Sequence, residues 1–60
     1  MTLEETEIKK TLKCNDETAK KIAKELYMYA CPDWSEATRA ELKADFLMVA
    51  ELAKIKIVKI

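Results

Sequence analysis

The most reactive side chains in this sequence are two thiols, Cys14 and Cys31, and their spacing bounds what they can do. The residues between them read as a helix, capped by Asn15 and running to about Ala30. About 15 residues rising about 1.5 Å each hold the two Cα atoms roughly 22 Å apart, whereas a disulfide needs about 5.5 Å. That helix excludes an intramolecular bridge and a metal site shared by both thiols, leaving free thiols or contacts between chains. Cys14 precedes a helix N-terminus, a position that lowers a thiol pKa. Both thiols are read as ordinary buried or half-buried side chains; a reactive Cys14 is the alternative, with no base or acceptor placed beside it.

The other chemical groups exclude more than they offer. Histidine is absent, which removes the commonest general base and the commonest metal ligand. Carboxylates are plentiful but interleaved with lysines, the pattern of solvated helix faces. Glu41, Asp45 and Glu51 resemble the carboxylates of a di-iron bundle only superficially, because the Glu-x-x-His ligands of such a site cannot be made. Glycine is also absent, so there is no phosphate-cradling loop. No catalytic, cofactor or metal residue is assigned, and neither an enzymatic activity nor a small-molecule substrate is expected.

Lysine is the remaining resource. Residues 9 to 24 carry Lys9, Lys10, Lys13, Lys20, Lys21 and Lys24 against Asp16 and Glu17. Lys20, Lys21 and Lys24 fall on the helix face opposite the apolar arc, where they form the candidate contacts to a protein partner or to phosphates, together with Met28 on the same side. In this segment Leu12, Asn15, Thr18 and Ala19 stand as an apolar residue before a turn, a cap, a threonine at the third helical position and an apolar residue after it. The pattern resembles the turn and recognition helix of helix-turn-helix DNA-binding modules, which implies phosphate contacts by those lysines. Lys13 stands where such a turn usually has glycine, a position at which a left-handed backbone would be strained, and Lys9 replaces a small residue. The segment also resembles the first two helices of ubiquitin-associated domains, without their glycine-containing loop.

Three elements must position these groups. Thr2 with Glu5 makes a capping box, and Glu5 to Lys9 is an i,i+4 pair, so residues 3 to 13 read as a first helix with Leu3, Ile8 and Leu12 inward. The second helix, to about Ala30, carries Ala19, Ile22, Ala23, Leu26, Tyr29 and Ala30 on one arc. Pro32 ends it by restricting Cys31. Asp33 with Glu36 repeats the capping pattern, and residues 33 to 60 then read as one long third helix, with Trp34 closing the core at its start. Its end, residues 55 to 60, is rich in β-branched residues, but no second strand exists in the sequence to pair with it.

The third helix has two apolar stripes. Leu42, Phe46 and Val49, continued by Ala53, Ile57 and Ile60, lie on one side, and Ala37, Ala40, Ala44, Leu47, Met48, Ile55 and Val58 on the other. Two short helices cover one stripe, so the second is assigned to a homodimer interface. The sequence therefore predicts a single all-α domain over residues 1–60, a three-helix bundle of two short helices and one long C-terminal helix, dimerising through the third. Eleven basic and eleven acidic residues cancel, so no overall field attracts nucleic acid or an acidic membrane, and no stretch approaches the roughly 20 apolar residues of a membrane span. The acidic start is the reverse of a secretory signal. These features lead us to expect a cytoplasmic, non-enzymatic protein–protein interaction module, a homodimer that also binds another protein. A small helix-turn-helix-like DNA-binding regulator is the alternative.

Overall fold

A computed structural model describes residues 2–60. They form three helices, α1 (Leu3–Leu12), α2 (Asp16–Tyr29) and α3 (Arg39–Leu52), each begun by a side-chain cap. Thr2 accepts from the Glu5 amide at 3.2 Å, Asn15 Oδ1 from the Thr18 amide at 2.9 Å, and Thr38 from the Glu41 amide at 3.2 Å. Each bond satisfies one of the amides a helix start leaves unpaired, which is worth about 1 kcal/mol per cap.

The third helix is not the long one expected. It spans 14 residues, the same as α2, and both of its ends differ from the sequence reading. At the start, Asp33 organises only a single turn: its carboxylate accepts from the Ser35 amide and hydroxyl at 3.1 and 2.7 Å, and its carbonyl from the Ala37 amide at 2.8 Å. Thr38 then turns extended (ψ 166°) and caps a new helix start, its hydroxyl also donating to Glu41 Oε1 at 3.2 Å. The helix register of residues 33 to 37 is therefore broken before Arg39. At the other end, the Lys54 amide donates to the Glu51 carbonyl at 3.2 Å and the Ile55 amide to the Ala50 carbonyl at 2.8 Å. That pair of bonds is a Schellman motif, with Lys54 at φ 57° in the left-handed position.

Beyond this reversal, residues 55 to 60 leave the helix and return to the α1–α2 turn. Cys14 and Lys59 form an isolated antiparallel bridge, flanked by Asn15 N–H to the Val58 carbonyl (2.8 Å) and Ile60 N–H to the Lys13 carbonyl (3.1 Å). Val58 N–H donates to Thr18 Oγ1 at 3.2 Å, and Lys59 Nζ to the Leu12 carbonyl at 2.8 Å, at the negative end of α1. The partner missing from the sequence reading of this tail is thus the turn itself, which pairs over two residues without becoming a strand.

The core is built from all three helices and the turn. Ile8, Leu12, Cys14, Ala19, Ile22, Leu26, Leu42, Phe46, Val49 and Ala50 are buried, with Trp34, Ala37, Ile55 and Ile57 packed against them. The inward stripe of α3 is the expected Leu42, Phe46 and Val49, joined by Ala50, whereas Ile57 and Ile60 of the expected stripe lie on the tail beyond the helix, Ile60 exposed. Trp34 closes one end as expected, its ring 5.7 Å from Phe46 and its Nε1 donating to the Tyr27 hydroxyl at 2.7 Å. Phe46 is fully buried at the centre of this cluster. Phe46→Ala should cost about 3 to 5 kcal/mol, most of the stability of a domain this small. A thermal melt followed by circular dichroism checks this, and a near-wild-type midpoint would show that Phe46 is not the centre of the core.

Candidate interaction surfaces

Three groups of side chains are candidates for contacts or chemistry, and the first is the outer face of α3. Ala40, Ala44, Leu47 and Met48 are all exposed there, Leu47 and Met48 by 40% and 39%, and Leu52, one turn beyond Met48, by 53%. Sequence reasoning missed Leu52, although its position four residues after Met48 was the available signal. The remaining residues of the expected interface lie elsewhere. Ala37 belongs to the turn before α3 and Ile55 to the tail, both partly buried against the core, and Val58 sits on the tail with its backbone tied to Asn15 and Thr18. Their separation follows from the two ends of α3, which take residues 37, 55 and 58 off the helix.

The second group is the lysine face of α2. Lys20, Lys21 and Lys24 are exposed, and Met28, one turn further along, is exposed by 75%. Lys20 and Lys24 border a shallow depression of about 300 Å³ shared with Glu4 and Glu5 of α1. Those carboxylates offset part of the positive field expected there. In the preceding turn Lys13 does adopt the left-handed conformation (φ 54°, ψ 44°) that glycine usually supplies. The Thr18 hydroxyl and the turn backbone, however, are occupied by the tail. A second basic cluster adjoins the turn, where Thr6, Lys9, Lys10, Lys13 and Ile60 line an open groove of about 600 Å³. Lys9 in this groove is matched by Asp16 at 2.7 Å, a contact that holds the Asp16 carboxyl below its usual range.

The thiols form the third group, and both are free. Cys14 is the ordinary buried thiol of the sequence reading, not the reactive alternative. Its side chain is part of the core, with Sγ 4.0 Å from the Ile8 carbonyl, and burial pushes its pKa up. Docking of the tail across the turn converts an exposed pre-helical position into an interior one. Cys31 is exposed, and its S–H donates to the Tyr27 carbonyl at 3.4 Å. Among the described residues, no three Cys, Asp or Glu side chains are grouped so as to hold a metal ion, and no helix is long and apolar enough to cross a membrane.

No protein-family model, curated protein or solved structure matches the chain. Its surfaces must therefore be read from their own chemistry.

The contrast between the thiols gives a direct test. A thiol-specific reagent should label Cys31 at once and Cys14 about a hundredfold or more slowly, because Cys14 reacts only when the structure opens. Equal rates would mean that the tail does not cover Cys14. The native state also holds the Cys14 proton more tightly than the unfolded chain. Stability should therefore be intact below the ordinary thiol pKa of 9.0 and fall as pH rises from there toward the higher folded value. Melting temperatures measured across that range should show the fall, and Cys14→Ala should lessen it.

Proposed function

We propose that this protein is a small, non-enzymatic α-helical interaction module of the cytoplasm, which pairs with a second copy through the outer face of α3 and presents its remaining surface to another protein. The observation that carries this reading is the exposed stripe of Ala40, Ala44, Leu47, Met48 and Leu52 opposite the buried Leu42, Phe46 and Val49. A helix apolar on two sides has one side to spare once its own core is filled. Small side chains at Ala40 and Ala44 let a second helix approach closely, while Leu47, Met48 and Leu52 supply the area to bury. A two-fold pairing is self-complementary, so each substitution acts twice.

Magnitude sets the expected strength. A 14-residue helix is about 21 Å long, and one face of it offers well under the roughly 800 Å² per partner of a standard interface. The dimer should therefore be a weak, exchanging one, with a dissociation constant in the range of about 10 to 100 μM. Sedimentation of wild-type protein at about 500 μM should show a mass above one chain. Leu47→Asp should return it to a folded monomer, because Leu47 is outside the core. A wild-type protein that stays monomeric at that concentration would remove self-association from this reading.

The alternative, a DNA-binding regulator, is favoured by one observation, the left-handed Lys13 in a capped turn that leads into a helix with three exposed lysines. Under the first reading, duplex binding is weak and indifferent to sequence, and replacing Lys20, Lys21 and Lys24 with alanine leaves the principal interaction intact. A tight, sequence-selective duplex complex that collapses between low and physiological salt, and is lost in that triple variant, would put the regulator first.

A further inference from the structure

The tail has two backbone edges, and only one is used. In an antiparallel ladder, a residue of a non-hydrogen-bonded pair points its own N–H and C=O away from its partner strand. Cys14 and Lys59 are such a pair, since the flanking bonds run from Asn15 to Val58 and from Ile60 to Lys13. The Lys59 amide and carbonyl therefore face outward. Val58 turns both its N–H and its C=O toward the turn, the first donating to Thr18 Oγ1 and the second accepting from the Asn15 amide. Since alternate residues share an edge, this places Ile57 beside Lys59 on the other one. Neither residue's backbone makes a hydrogen bond among the described residues. An unpaired edge of this kind is a template for one more strand.

The side chains along that edge select its occupant. Residues 53 to 60 contain Lys54, Lys56 and Lys59 and no acidic residue. Lys54 and Lys56 make neither an ion pair nor a hydrogen bond among the described residues. Ile60, next along the tail, forms one wall of the groove whose other walls carry Lys10 and Lys13. A second copy of the tail would bring another three lysines into this region, and lysines on an edge are a common device against such self-pairing. An acidic strand meets the reverse situation, because opposite charges across a ladder are favourable.

We infer that the outer edge of residues 57–59 is a binding site for an extended peptide that alternates acidic and apolar side chains. The peptide adds to the tail as a strand, through the backbone groups of Ile57 and Lys59, with its carboxylates toward Lys54 and Lys56. The main chain supplies affinity and the lysines supply selectivity, as in other strand additions. This site does not involve the exposed face of α3, so it stands or falls independently of the dimer.

The test titrates the Leu47→Asp variant with a blocked peptide of alternating glutamate and valine, following protein amides by NMR. Binding should shift and protect the Ile57 and Lys59 amides, should weaken about tenfold or more in Lys56→Glu, and should weaken as salt rises from about 50 to 500 mM. The same peptide N-methylated at alternate residues keeps its charges but cannot complete a ladder, and it should lose binding about tenfold or more. Three results would overturn the inference: no binding at about 1 mM peptide, equal binding by the N-methylated peptide, or equal binding by a peptide in which lysine replaces glutamate. Tail-to-tail pairing of the protein alone, seen as peptide-independent protection of the same two amides that depends on protein concentration, would give the edge to a second copy and overturn it as well.

Discussion

The return of the tail onto the α1–α2 turn is the constraint on which the rest of this small structure depends. Three helices of 10, 14 and 14 residues are each too short to persist alone in water. Their mutual packing leaves the turn at Lys13–Asn15 open at one end of the core. The tail covers it with two backbone hydrogen bonds, an amide bond to Thr18 and a lysine on the last carbonyl of α1. It also brings Ile55 and Ile57 against the core. Burial of Cys14 and satisfaction of the Thr18 hydroxyl, both inside the molecule, follow from that one contact.

Reversing the chain without glycine has its own cost. Lys13, Cys31 and Lys54 all take positive φ, a region that a residue with a Cβ enters at about 1 kcal/mol or more. At Lys54 the strain is offset by the two bonds of the Schellman motif and by the burial of Ile55 that follows it. At Lys13 it is offset by the carbonyl bond to Ile60, which holds the turn open for the tail. The exposed lysine side chains at these positions reach into solvent, so the strain is confined to the backbone.

Local capping was legible in the sequence, and medium-range competition between caps was not. Thr2 with Glu5, Asn15 with Thr18, and the stop before Pro32 appear in the structure where their chemistry put them, because each is decided by side chains within three residues. The third helix was misjudged because Asp33 and Thr38 both carry cap signatures five residues apart, and a helix can accept only one. Its end was hidden for a different reason. A C-terminal reversal is normally announced by glycine or asparagine, and here lysine fills that place. The two-sided character of α3 was readable because helical periodicity survives the loss of its ends: Leu42, Phe46 and Val49 face inward, while Ala40, Ala44, Leu47 and Met48 face outward. That the tail docks at Cys14 was not readable, since it depends on a residue 45 positions away finding the turn.

That separation has a kinetic meaning. The helices form from contacts close in sequence, whereas the Lys59 to Leu12 and Val58 to Thr18 bonds close loops of 47 and 40 residues. Loop-closure entropy rises by about 0.6 kcal/mol per doubling of length, so these are the contacts most expensive to form before the helices have shortened the path. The clasp should be the last piece to assemble and the first to open. During synthesis, the α1–α2 hairpin emerges with its turn uncovered. Cys14 then meets solvent until residues 58 to 60 reach the turn.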